Sequence, residues 1–244
     1  MIPFDWSRFD AVLFDLDGVL TSTAAIHAAA WKETFDEALA HLAGDQQPPF
    51  DRDRDYREYV DGRPRYEGVA TFLSSRNIDL PYGDPTDPPG FGTICAVGNL
   101  KNQRLQDVLE REGVEAFPGS LALLDHLRAL GLQQAVVSAS ANAEAVLRSA
   151  GLLERFPVRV DGVVAKEAGL AGKPRPDTFL EAARRVGSTP TAAVVVEDAV
   201  AGVEAGVAGG FGAVIGVDRH GDPSALRRAG ADVVVSDLGE LVPQ

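Results

Sequence analysis

Lysine is scarce in this chain: Lys32, Lys101, Lys166 and Lys173 are the only four in 244 residues. Cysteine is scarcer, with Cys95 alone. One cysteine excludes an intrachain disulfide and suits a reducing compartment. On its plainest reading Cys95 is a small apolar residue packed inside. No stretch reaches the ~18 consecutive apolar residues of a membrane span. The opening Met1-Ile2-Pro3-Phe4-Asp5-Trp6 has neither a basic segment nor a long apolar core, so no signal peptide is expected and the expected location is cytoplasmic. Positive charge is also short: 23 basic residues face 36 acidic ones, for a net charge of −13. Such a chain repels nucleic acid and anionic membrane, and no partner of either kind is expected. An anionic substrate would need a local basic patch or a metal. There is no Walker A pattern and no internal repeat.

What is present reads as an ordinary globular protein, with 45% hydrophobic and 24% charged residues. Its length suits one large domain or two smaller ones. Apolar runs suited to buried parallel strands occur at 11–16, 134–138, 192–196, 212–217 and 232–235. Helical spacing marks 119–130, where Leu121, Leu123, Leu124, Leu127 and Leu130 recur, and also 141–150, 176–186 and 199–208. Strand and helix in alternation predict an α/β fold with an open parallel sheet. Ligands of such sheets bind at the carboxyl ends of the strands. Gly209-Gly210-Phe211-Gly212 sits where a helix should end and reads as a helix cap.

The stretch 24–114 breaks the alternation. It has helical patterns at 24–43, 65–75 and 100–112 and no convincing strand. A crossover needs only about a dozen residues, so this stretch reads as an inserted helical domain. Within it, 77–98 holds four prolines and four glycines and cannot be regular throughout. Loops of this length are usually functional or mobile.

Four polar sites stand at strand ends or in turns. The first is Asp15-Leu16-Asp17-Gly18, closing the first apolar run. It is a turn on the plain reading. On the chemical reading Asp15 is a nucleophile able to form an aspartyl phosphate, kept ionised by a nearby cation, with Asp17 on the same strand-end face. The second is Val137-Ser138-Ala139-Ser140, where a hydroxyl caps the helix beginning near Ala141, holds phosphate oxygens, or does both. The third is Gly172-Lys173-Pro174: a surface lysine, or an ammonium fixed in a rigid turn to neutralise Asp15 and a phosphoryl group. The fourth is Val196-Glu197-Asp198, an acidic helix cap or a pair of ligands for the hard, oxygen-seeking magnesium ion. Four coincidences in this order favour a phosphoryl-transfer centre.

These motifs together resemble the haloacid dehalogenase superfamily of phosphotransferases, over about 8–23 and 115–240. The resemblance implies a Rossmann-like parallel sheet core at 1–23 and 115–244, with an inserted α-helical cap domain at 24–114. Asp17 marks the phosphotransferase branch rather than the dehalogenases. Within the superfamily the chain is most similar to the β-phosphoglucomutase-like subfamily. That likeness rests on Thr23, His27 and Trp31 at mutase-like spacing, on Asp61-Gly62-Arg63-Pro64-Arg65, on Lys101-Asn102, and on Ser138-Ala139-Ser140-Ala141-Asn142. It departs at Ala141, where related mutases often carry a basic residue, and in the length of 77–98.

By resemblance, His27, Gly62, Arg63, Arg65, Lys101, Ser138, Ser140, Asn142 and Lys173 would contact substrate. Asp15 (side chain), Asp17 (backbone carbonyl), Glu197 and Asp198 would surround magnesium. Asp15 would carry the phosphoryl group, and Asp17 would act as general acid and base. The implied reaction interconverts β-glucose 1-phosphate and glucose 6-phosphate through glucose 1,6-bisphosphate, under a cap that excludes water. A sugar-phosphate phosphatase is the alternative, with water as acceptor. His27, Arg65 and Lys101 favour the mutase. The expected partner is a small phosphorylated sugar, and the expected state is a monomer. A receiver-type signalling module is disfavoured, because such modules are about half this length and place their acceptor aspartate mid-chain.

Overall fold

Ala11–Phe14 form strand β1, and all four residues are buried. A continuous apolar run does this in a parallel sheet covered on both faces. The computed structural model describes residues 4–44, 47–219 and 221–243. Met1-Ile2-Pro3, on which the signal-peptide expectation partly rests, lie outside the described residues. The other strands are β2 (Gln133–Val137), β3 (Val158–Val160), β4 (Ala193–Glu197), β5 (Ala213–Val217) and β6 (Val233–Val235). The helices are α1 (Ala24–Ala43), α2 (Arg65–Ser75), α3 (Ile94–Glu112), α4 (Pro118–Ala129) and α5 (Ala143–Ser149), then α6 (Gly162–Ala168), α7 (Asp177–Val186), α8 (Val200–Ala208) and α9 (Pro223–Ala229). The chain divides into two compact units, Met1–Ser22 with Val114–Gln244, and Thr23–Gly113.

The first unit holds a six-stranded sheet of order β3-β2-β1-β4-β5-β6, with every pairing parallel. The expected parallel α/β sheet is therefore present. Central β1 pairs Phe14 with Val136 on one side and Val196 on the other. This register sets Asp15 level with Val137 and Glu197, so the carboxyl ends of β2, β1 and β4 share one edge. The core joins Leu13, Val137, Val195 and Val214 of the strands to Phe179 of α7 and Val203 of α8.

Strand β3 was not expected. Val158-Arg159-Val160 is short, half-exposed and at the sheet's edge, so it lacks the apolar run that betrays a central strand. Helices α6 and α9 were missed for a similar reason: seven residues each, with Leu226 the one buried residue between them. The glycine pair behaves as a cap: Gly209 ends α8 and Gly210 takes φ +67°.

The second unit is helical, and its described residues contain no strand. Its core is aromatic: Phe35 packs on Phe72 at 4.1 Å and on Phe50 at 5.2 Å, and Trp31 stacks on Phe35 at 4.9 Å. Losing one such ring to alanine typically costs about 3–5 kcal/mol. Helix α3 begins at Ile94, six residues before the expected start. Thr93 caps it by accepting from the Ala96 N–H, while Gly92 and Gly98 mask the helical spacing in the sequence. The segment before it, through Thr93, is irregular.

Candidate active site

Asp15 follows β1, and its backbone N–H continues the ladder to Val196 O at 2.9 Å. The chain then turns sharply. Gly18 N–H donates to Thr21 O at 2.9 Å, and both Thr21 N–H and its hydroxyl donate to Leu16 O at 3.1 Å. Gly18 has φ +87°, and a Cβ there would overlap the Asp198 carboxylate. Glycine is thus required twice, for the left-handed backbone and for the approach of Asp198.

Lys173 is 2% exposed and lies between two acids. Its ammonium donates to Asp15 Oδ1, to Glu197 Oε1 at 2.5 Å and to Val137 O at 3.3 Å. Glu197 also accepts the Ala199 N–H at 3.0 Å, and the missing side chain of Gly202 leaves room for its carboxylate. Burial disfavours the ammonium, yet Asp15 and Glu197 outweigh that and hold the Lys173 pKa above the usual lysine value. For Asp15 burial is the largest influence and pushes the carboxyl well above the ordinary aspartate value. Lys173 opposes this, while Glu197 and Asp17 add to it.

One carboxylate oxygen each from Asp15, Glu197 and Asp198 lie within 4.8 Å of one another. These buried acids outnumber the lysine three to one, and buried charge must be balanced. A divalent cation fits such a set of hard oxygen donors. Among the described residues the Asp17 side chain is not part of this group.

The second motif differs in detail from expectation. Helix α5 starts at Ala143, not near Ala141, and its N-cap Asn142 makes no side-chain cap. Ser138 Oγ accepts the Ser140 N–H at 3.0 Å, and Ser140 Oγ accepts the Asn142 N–H at 3.1 Å. The hydroxyls close local turns instead of capping a helix. Each uses its oxygen as an acceptor and retains its O–H to donate. Ser138 is buried one residue beyond β2, and its N–H is tied to Val160 O at 3.1 Å.

Arg219 escaped notice in the sequence. Its Nε donates to Gly18 O at 2.7 Å, its Nη1 donates to Ser236 O at 3.1 Å, and its guanidinium lies 3.8 Å from the Phe117 ring centroid. It fastens the turn that carries Asp17. Among the described residues only backbone carbonyls receive its hydrogen bonds, so no motif announces it.

In the Thr23–Gly113 unit the structure brings His27 to Lys101, with Nδ1 and Nζ 3.1 Å apart. Lys101 is buried and lies 4.8 Å from the Trp31 ring centroid. Trp31 is therefore both core and a wall beside this lysine. Gly62 and Arg63 lie in the turn before α2, Gly62 at φ +67° and Arg63 with its N–H on Val60 O. Arg65 opens α2 and donates to Asn99 Oδ1 at 3.3 Å. Burial pushes its pKa down, and the nearby groups that oppose this are the Tyr66 phenol and the Cys95 thiol rather than a carboxylate.

The haloacid dehalogenase-like hydrolase family matches residues 9–210. The β-phosphoglucomutase of Mycobacterium bovis is 50% identical over 238 residues, covering 95% of this chain and 91% of that protein. That of Bacillus subtilis is 32% identical over 232 residues, covering 95% and 91%. The crystal structure of a β-phosphoglucomutase from Clostridium difficile superposes with a TM-score of 0.76 at 25% identity, covering 96% of this chain and 93% of that one.

Proposed function

This chain belongs to the haloacid dehalogenase-like hydrolase family, and from that premise we propose that it is a magnesium-dependent phosphotransferase, a β-phosphoglucomutase converting β-glucose 1-phosphate to glucose 6-phosphate. The observation that carries the chemistry is Lys173 bridging Asp15 and Glu197 beside Asp198 at one sheet edge. The extent of identity to the M. bovis mutase favours isomerisation over hydrolysis.

In this reading Asp15 Oδ attacks the C1 phosphorus of glucose 1,6-bisphosphate, the P–O bond to C1 breaks, the departing oxygen takes a proton from Asp17, and glucose 6-phosphate leaves. In the second half-reaction Asp17 recovers a proton from the 6-hydroxyl of β-glucose 1-phosphate as the phosphoryl group passes from Asp15 to that oxygen, and the bisphosphate forms again. Glucose 1,6-bisphosphate is the shared intermediate. Ser138 and Ser140 donate their hydroxyl protons to phosphoryl oxygens, with Asn142 beside them. Lys173 offsets charge as the transfer proceeds. Magnesium, held by Asp15, the Asp17 carbonyl, Glu197 and Asp198, would supply further neutralisation of the phosphoryl oxygens. The unit Met1–Ser22 with Val114–Gln244 serves as the catalytic core and Thr23–Gly113 as the cap, each boundary one residue before the expected 1–23, 24–114 and 115–244. The cap residues His27, Gly62, Arg63, Arg65 and Lys101 recognise the sugar and its other phosphate. Among the described residues no helix is long and apolar enough to cross a membrane. A cytoplasmic monomer is part of the same proposal.

Product identity tests it. The protein is given β-glucose 1-phosphate with a trace of glucose 1,6-bisphosphate, and glucose 6-phosphate is measured against free phosphate. Glucose 6-phosphate should dominate. Dominant phosphate release would instead make the protein a sugar-phosphate phosphatase.

A further inference from the structure

The Pro/Gly-rich segment before α3 is irregular yet heavily bonded. Ile94 N–H donates to Pro81 O and Cys95 N–H to Tyr82 O, both at 3.0 Å, so the helix start is satisfied by the loop's own carbonyls. Asp87 Oδ2 accepts from the Thr93 hydroxyl at 2.6 Å and from the Asp84 N–H at 3.0 Å. Such a network builds one conformation without regular structure.

Asn99 joins this segment to α2. Its Nδ2 donates to Pro85 O at 3.1 Å and to Asp87 O at 2.9 Å. Its Oδ1 accepts from Arg65 Nη1 at 3.3 Å and from the Tyr66 hydroxyl at 2.9 Å. All four hydrogen-bonding positions of the amide are filled, and each end suits only its own partners. A carboxylate at 99 would face two carbonyls and give Arg65 a counter-charge that no described residue supplies. Gly98 makes the approach possible, since a Cβ there would stand 2.7 Å from the Tyr66 ring and 3.3 Å from Arg65 Cδ. The Arg65 guanidinium lies 5.3 Å from the Tyr66 ring centroid, and among the described residues the bond to Asn99 is its one hydrogen bond. A half-buried cation in a neutral cradle keeps its charge for an anionic ligand.

We propose that Asn99 is a positioning residue that ties the 77–93 segment to Arg65 and holds that guanidinium, uncompensated, for the substrate phosphate that is not being transferred. This rests on the reading of Arg65 as a phosphate ligand. The neutral amide fixes the geometry without using up the charge.

The test compares Asn99→Ala, Asn99→Asp, Arg65→Ala and the double variant Asn99→Ala/Arg65→Ala in the full chain. The readouts are KM and kcat for β-glucose 1-phosphate with bisphosphate present. Asn99→Asp should raise KM about tenfold and Asn99→Ala about threefold, with kcat changed less than about twofold. In the Arg65→Ala background, Asn99→Ala should add nothing. An effect of Asn99→Ala that persists undiminished in that background, or an unchanged KM in Asn99→Asp, overturns the proposal. An unchanged KM in Arg65→Ala overturns the Arg65 reading itself, and the mutase reading is judged separately by product identity. If the Asn99 variants fail to fold, Tyr66→Phe carries the test, because it removes one donor to Oδ1 and almost no volume. A KM rise of about twofold is then expected, and no change overturns the proposal.

Discussion

Lys173→Met would remove, from a cluster of three buried carboxylates, the cation that bridges two of them, while keeping most of the side-chain volume. Lys173 is 2% exposed and Glu197 1%, so water cannot screen what is left. The cluster restores its balance by taking up about one more proton. Placing a proton on a carboxylate of ordinary pKa near 4 costs about 4 kcal/mol at pH 7, at 1.36 kcal/mol per pH unit. At pH 5 the same step costs only about 1.5 kcal/mol. Breaking a buried pair from one side gives a similar magnitude, about 3–5 kcal/mol. The lysine is not the source of this pH dependence. Its folded pKa is raised, so its contribution is intact below the unfolded value near 10.4 and is lost only as pH climbs through the folded one. The assay is urea unfolding of both proteins in EDTA at pH 7, 6 and 5. The stability gap should shrink by about 1.4 kcal/mol for each unit of pH lowered. A gap that stays flat, or lies below about 1 kcal/mol at pH 7, would refute the account and leave Lys173 as packing alone.

Two further outcomes follow from the same cluster. Asp15→Asn should abolish labelling by a phosphoryl donor, read by mass spectrometry, yet raise the melting temperature in EDTA, because it deletes a carboxylate that burial and acidic neighbours disfavour. Retained turnover would remove Asp15 from the mechanism. Magnesium should protect the protein more as pH rises. The folded pKa of Asp15 is raised, so its contribution is complete below the unfolded value near 4 and is lost as pH climbs through the folded value. A cation preferring the ionised cluster compensates in that window, so the gap in melting temperature between magnesium and EDTA samples should widen from pH 5 to 8. A constant or narrowing gap would contradict the raised Asp15 pKa.

The sequence revealed strand ends best where both faces of a strand are buried. Ala11–Phe14 and Ala193–Glu197 are apolar throughout until the acid that closes or follows each run. Edge strand Val158–Val160 carries an arginine in three residues and left no such trace. Lys173 was legible because glycine and proline flank it, and its salt bridges to Asp15 and Glu197 span 158 and 24 positions. Ser138 and Ser140 were legible as hydroxyls after a strand, but their turns were not, since a capped helix and two short side-chain turns share one sequence signature. Arg219 and Asn99 were not legible at all. Arg219 acts through backbone carbonyls, which carry no residue identity to read, and Asn99 acts through two more such carbonyls and two side chains 34 and 33 positions away.

The placement of cations explains how so acidic a chain can attract a phosphorylated sugar. At a net charge of −13 the long-range field opposes any anion, so attraction must be local. Lys173 contributes little to that attraction, because two carboxylates already claim its charge. In the proposed reaction its task is to keep an acid-rich site from repelling what Asp15 would attack. Arg65 is held by an amide oxygen and an aromatic ring, which orient a guanidinium without neutralising it. The same requirement, a cation beside an anion, is thus met in two ways. Carboxylate partners suit a charge that must balance the protein's own acids, and neutral partners suit a charge kept for the ligand. The neutrality of Asn99 is therefore as consequential as its geometry.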